Sequence, residues 1–179
     1  MSALKDSDTD ALIALAASGD VAACENLLQR HRDRLHRLIT IRLDGKLAKR
    51  VDPSDVVQDT LVVAQRRLDD YLRNQPIAFY PWLRRIALNQ LIDLYRHHVR
   101  AGKRSLDREQ PFEINDESTL LLASRLVAEQ DSPSRQMIRD ELKRRISEAL
   151  GQMPEDQREI IVMRYLEELP IKEIAAILG

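Results

Sequence analysis

Residues 52–72, DPSDVVQDTLVVAQRRLDDYL, carry both the start signal and the period of a long amphipathic helix. Asp52 can accept from the free N–H groups of a first turn, Pro53 suits the first helical position, and Asp55 complements the helix dipole. Val56, Val57, Thr60, Leu61, Ala64, Leu68, Tyr71 and Leu72 then recur at helical spacing, which predicts a helix from residue 53 to about residue 72 with one buried stripe. The other side carries Asp55, Gln58, Asp59, Gln65 and Arg66, so one face packs and the other is free for a partner.

Downstream, Arg73-Asn74-Gln75-Pro76 reads as a loop, because Asn and Pro favour turns and Pro76 pushes Gln75 out of the helical region. A second helix is expected over about 79–98, where Trp82, Leu83, Ile86, Ala87, Gln90, Leu91 and Leu94 hold the period and Pro81 falls in the first turn. Its exposed side shows Arg84, Arg85, Asn89, Asp93, Arg96 and Arg100. Trp82 lies on the apolar stripe and reads as core, and Asp93 is expected to pair with Arg96 or Arg100.

Upstream, residues 10–17 form a helix that Ser18-Gly19-Asp20 ends. A second, long helix is expected to run unbroken to about residue 43 on the stripe Leu27, Leu28, Leu35, Leu38 and Ile39, followed by a basic connection over 46–50. From 105 to 133 the pattern weakens, with a short helical candidate at 119–129, and this stretch reads as a linker. Periodicity resumes in helices over 134–150, 155–166 and 171–178, with a stop and restart at Gly151-Gln152-Met153-Pro154.

Composition agrees with these helices. Hydrophobic residues make up 44% of the 179 and charged ones 32%, with only 5 Gly and 4% aromatic, which favours striped helices over a sheet fold. The expected class is therefore all-α, as two small helical domains (8–104 and 134–179) joined by an acidic linker (105–133). No apolar run approaches the roughly 20 residues that cross a bilayer, and the N-terminus carries acids where a signal peptide is basic. A cytoplasmic protein without membrane insertion is expected. The lone Cys24 has no partner for a disulfide or a CxxC site and reads as a small apolar residue.

The net charge of −1 conceals strong segregation. Residues 28–50 hold eight Lys/Arg against two Asp and residues 84–104 hold six against Asp93 alone, whereas 105–132 hold seven acids against Arg108 and Arg125. A basic face that attracts phosphate thus coexists with an acidic stretch that repels it.

Three stretches together resemble the extracytoplasmic-function (ECF) group of bacterial RNA polymerase sigma factors: 52–71, 79–100 (FYPWLRRIALNQLIDLYRHHVR, with its aromatic, W-L, I-A-x-N, D and basic tail) and 150–179 (LGQMPEDQREIIVMRYLEELPIKEIAAILG). The resemblance implies a region 2 helical bundle and a region 4 helix-turn-helix domain in a non-enzymatic protein without cofactor or metal. It implies that Asp55, Gln58, Asp59, Gln65 and Arg66 dock on a coiled coil of the largest subunit of core RNA polymerase. It further implies that the loop after this helix and the next helix bind the nontemplate strand of the minus-ten promoter element and hold a flipped base. Tyr71, Arg73, Asn74 and Asn89 would form the pocket, and Arg84, Arg85, Arg96 and Arg100 would follow the backbone, since an unstacked base needs replacement contacts. An anti-sigma partner belongs to the same implication. In relatives the helix after Gly179 is the recognition helix for the minus-thirty-five element, so the region 4 domain is expected to be incomplete, as a shortened chain or a natural fragment, and Ile160, Ile161, Ile174 and Ile177 to lack a partner surface.

Two other classes stand beside this reading. A metal-dependent hydrolase would use Asp93, His97 and His98, but His31 and His36 are five apart, nothing resembles HExxH, and two ligands make a poor site. A stand-alone helix-turn-helix regulator or helical adaptor would need a complete recognition helix if it bound duplex DNA alone. Pull-down of core polymerase separates that class from a sigma factor.

Overall fold

The computed structural model describes residues 2–43, 45–101, 122 and 136–179, and side chains at 8–43, 47–97, 122 and 140–179. The described residues are helical, in the order α1 (Ser2–Ala17), α2 (Val21–Arg30), α3 (Arg32–Arg42), α4 (Gly45–Ala48), α5 (Pro53–Asn74), α6 (Phe79–Ala101), α7 (Gln136–Gln152), α8 (Glu155–Tyr165) and α9 (Ile171–Leu178). The linker expected at 105–133 and its helical candidate lie outside the described residues, apart from Leu122.

The long helix expected to reach residue 43 is two helices. His31 interrupts it at φ −97° and ψ 1°, between α2 and α3. The stripe hides this break because it survives it: Leu27, Leu28, Leu35, Leu38 and Ile39 are all buried in one core. The expected basic connection contains the short helix α4.

Helix α5 starts as its cap dictates. The Asp52 carboxylate accepts from the Ser54 N–H at 2.8 Å, and Pro53 opens the first turn. It continues two residues beyond the expected end, to Asn74, where Gln75 takes a left-handed conformation (φ 36°, ψ 56°) and donates its N–H to the Tyr71 carbonyl at 2.7 Å. The buried faces of α5 and α6 meet along Val57, Leu61, Ala64, Leu68, Leu83, Ile86 and Leu91, over α2 and α3. Trp82 belongs to this core, its ring 4.6 Å from Tyr71 and 5.4 Å from Phe79.

Helices α7–α9 pack on the same bundle. Leu150, Val162 and Leu166 close on Ile41 of α3 and on Leu122, while Met163, Leu169 and Ile174 close on Tyr80 of α6. Between α8 and α9 the chain turns at Glu168, in the left-handed region (φ 57°). The N–H groups of Glu167 and Leu169 return to the carbonyls of Val162 and Met163. Ile174 is buried and Ile161 and Ile177 are half-buried, so these three have partners; Ile160 is 40% exposed.

Candidate polymerase and nucleic-acid interfaces

The hairpin of α5 and α6 presents two exposed faces. On α5 the cap and the buried stripe fix the helix rotation, and Asp55, Gln58, Asp59, Gln65 and Arg66 are all exposed on the side away from the core. Gln58 accepts from Arg32 of α3 at 3.2 Å, which ties this row to the neighbouring helix. The sequence pattern passed over Val62, which is 36% exposed in the middle of the row. Its signal is in the spacing: 55, 59, 62 and 66 follow one another at steps of four, three and four residues.

On α6, Arg85, Asn89, Asp93 and Arg96 are exposed at successive helical spacings. Asp93 and Arg96 form the expected ion pair, at 3.8 Å with both side chains about 70% exposed. Such a pair is loose and leaves the guanidinium able to exchange partners. The Arg100 side chain lies outside the described residues. At the end of α5, Arg73 and Asn74 are exposed. Arg73 pairs with Asp70, and the Asn74 amide donates to the Asp70 carbonyl at 3.1 Å.

Two residues expected to face nucleic acid do not. Tyr71 is 4% exposed, with its ring against Phe79 and Trp82. Its hydroxyl donates to the Ile77 carbonyl at 3.0 Å, so it supports the loop from beneath. Burial, and then the charge of Asp10, raise this phenol to about 12, which keeps it a donor.

Arg84 is the second. Only 5% exposed, it donates from Nε to Glu167 at 2.9 Å and from Nη2 to Glu159 at 2.9 Å and Glu167 at 3.0 Å. Arg42 completes the cluster, donating to Glu159 at 2.5 Å and to Glu167 at 2.7 Å. Two cations thus meet two carboxylates between α3, α6 and α8, so the charges balance and the buried ions are compensated. Burial pushes the Glu167 carboxyl up, but hydrogen bonding from Arg84 and the charges of Arg84 and Arg42 outweigh it and hold the group below its ordinary value. In this conformation Arg84 therefore cannot follow a nucleic-acid backbone.

A cleft of about 590 Å³ opens beside the loop after α5. Gln75, Ile77 and Ala78 form its loop side, and Arg34, Arg37 and Lys172 line it together with Asp10, Asp33 and Glu173, so its walls carry both charges. Asn89 does not line it, so the structure does not join that residue to the loop in one pocket. His31 lies at its base, 4% exposed beneath the rings of Phe79 and Tyr80, and neither imidazole nitrogen has a hydrogen-bond partner among the described residues. Burial, followed by the charges of Arg34 and Arg30, lowers its pKa to about 3 and leaves the ring neutral at physiological pH.

The chain matches the family models for sigma-70 region 2 over residues 27–101 and sigma-70 region 4 over residues 143–179. It is 33% identical over 173 residues to the RNA polymerase sigma factor CnrH of Cupriavidus metallidurans, across 96% of this chain and 84% of that protein. It is 29% identical over 168 residues to the ECF RNA polymerase sigma-E factor of Haemophilus influenzae (94% and 82% of the two chains). With the ECF RNA polymerase sigma factor SigW of Bacillus subtilis it shares 28% over 161 residues (90% and 80%). No solved structure matches it.

Proposed function

Because the chain belongs to the ECF group of RNA polymerase sigma factors, and so serves transcription initiation with core polymerase and promoter DNA, we propose a division of labour between the two exposed faces of its α5–α6 hairpin. The row Asp55, Gln58, Asp59, Gln65 and Arg66, with Val62 at its centre, docks on a coiled coil of the largest polymerase subunit. A polar ring around a partly exposed apolar residue suits that role, since the apolar centre is desolvated and the rim sets register. An anti-sigma partner would inhibit by covering the same row.

The other face engages the melted nontemplate strand at the minus-ten element. Arg73, Asn74, Arg85, Asn89 and Arg96 supply it, and Arg100 extends the row. An unstacked base loses a few kcal/mol that a binding surface must return. Asn89 offers both a donor and an acceptor to a base edge, whereas the guanidinium groups offer charge to any phosphate. Asn89 therefore carries sequence preference and the arginines carry affinity. Helices α7–α9, matching region 4, belong to the part of the protein that approaches the minus-thirty-five element. The place of action is the cytoplasm, with polymerase; among the described residues no helix is long and apolar enough to cross a membrane.

The observation that carries this reading is the separation of faces: Asp59 and Asn89 are both exposed on helices whose remaining sides are packed in one core. Pull-down of core polymerase by the purified chain, with Asp59→Arg as the comparison, tests the first face. Loss of capture in the variant alone supports the reading, and equal capture by both chains refutes it.

A further inference from the structure

The cleft beside the loop after α5 is lined by α1 as well, a helix that precedes the residues matched as region 2. Asp10 of α1 is exposed there and shares the lining with Gln75 and Ile77. Its carboxylate is close enough to the Tyr71 phenol to act, after burial, on that group's raised pKa. Tyr71 in turn holds the loop at both ends: its carbonyl accepts from the Gln75 N–H at 2.7 Å, and its hydroxyl donates to the Ile77 carbonyl at 3.0 Å. The Trp82 N–H donates to the Ala78 carbonyl at 3.1 Å and closes the same turn. Loop and α1 are therefore set against one another before any ligand arrives, which lowers the cost of binding one.

The floor of the cleft is polar too. His31 and Tyr80 line it, both almost fully buried, and neither the imidazole nitrogens nor the Tyr80 hydroxyl has a hydrogen-bond partner among the described residues. An occupant with polar edges suits such a lining better than an apolar one. At about 590 Å³ the cleft lies within the range of about 300–1,000 Å³ of small-ligand sites, which is room for one base. Arg30, also in the lining, pairs with Asp8 at 3.1 Å near the surface, a contact that a phosphate can exchange. These groups all belong to α1–α6; α9 supplies only Lys172, Glu173 and Ala176 to the lining.

We propose that Asp10 of α1 makes this cleft a second base-reading point, separate from Asn89, which admits a flipped base carrying an exocyclic amino group and rejects thymine. The inference rests on the minus-ten reading above and adds α1 to it. A carboxylate only accepts hydrogen bonds. Adenine, cytosine and guanine each offer it an amino group, whereas thymine offers one N–H between two carbonyl oxygens, which the charge repels. The Gln75 amide has both a donor and an acceptor, so it can meet the ring nitrogen or carbonyl beside that amino group. Asp10 thus decides which bases enter, and Gln75 serves any of the three.

A randomised pool of single-stranded DNA, captured by core polymerase holding the full chain and then sequenced, reads base preference position by position. Besides the position that Asn89→Ala levels, the unaltered chain should show one at which amino-bearing bases exceed thymine about ten-fold. That lies within the roughly 5- to 150-fold that one well-placed side chain contributes. Asp10→Asn, whose amide can donate to a carbonyl oxygen, should reduce the ratio to about three-fold or less and leave the other positions as they were. Asp10→Ala should reduce it too, and because each ratio is measured within one variant, a general loss of affinity does not obscure it. An unaltered chain with no such position, a preference kept in both variants, or a loss spread evenly over all positions would each overturn the proposal. A chain that enriches no motif at all would sink the minus-ten reading, and this inference with it.

Discussion

Arg84 and Glu167, 83 residues apart in the chain, are joined by two hydrogen bonds of 2.9 and 3.0 Å with both side chains out of water. Removing one partner of a buried pair leaves the other charge uncompensated, at about 3–5 kcal/mol, whereas replacing both by apolar groups is often near neutral. Here Glu167 keeps Arg42 as a partner, so Arg84→Met should cost less than that, about 2 kcal/mol in urea unfolding, and Arg84→Met with Glu167→Leu should recover part of that loss. Additive losses in the double variant would show that the pair does not act as a unit.

Tyr71 fixes the loop between α5 and α6 through its hydroxyl. Tyr71→Phe keeps the ring in its aromatic cluster and removes one hydrogen bond, so a loss of about 1 kcal/mol is expected. Tyr71→Ala also empties the cluster and should cost about 3–5 kcal/mol. Thermal unfolding of the two variants checks the order.

His31 makes stability depend on pH. Its pKa is about 3 in the folded chain against 6.5 for an ordinary imidazole, so the unfolded state binds one more proton between those values. Stability is full above pH 6.5 and falls by about 1.4 kcal/mol per unit at most as pH drops below it. Glu167 acts in the opposite range: its depressed pKa gives stability that is present above 4.5 and lost as pH falls through the lower folded value. Between pH 6.5 and 4.5 the His31 slope should therefore stand clear, and His31→Leu should flatten it in denaturant titrations. An unchanged slope would mean that the ring takes up its proton while folded.

The row on α5 should be separable from folding. Asp59 is exposed and without core contacts, so Asp59→Arg should change stability by no more than about 0.5 kcal/mol. Its affinity for core polymerase should fall at least about ten-fold, because a reversed charge meets the partner's complementary one. Val62→Asp should act likewise. Calorimetry with purified core polymerase, beside a melting curve, checks both.

Much of this was legible in the residues, and the failures have physical causes. Asp52, Pro53 and the stripe from Val56 to Leu68 placed α5 because cap and period are local signals. The break at His31 escaped because helices on either side of one bend keep the same apolar spacing. Arg84 and Arg85 look alike in the sequence as cations for nucleic acid, because a charge row shows how many cations a helix carries and not which of them meets a carboxylate 83 residues away. The acids that matter to it are Glu159 of α8 and Glu167 of the turn after it, rather than those of the linker. The apolar stripe of α5 already carries Tyr71, and only the resemblance places it at the pocket, because its ring and its hydroxyl suit either face of a helix end.

The division between Asn89 and the arginines of α6 is tested most directly by anisotropy of labelled single strands, carrying the minus-ten element or scrambled, bound to polymerase reconstituted with each variant. Asn89→Ala should weaken binding to the minus-ten strand and leave the scrambled strand unaffected, whereas Arg96→Ala should weaken both and reduce the salt slope by about 1. Equal losses for both variants on every strand would contradict the account.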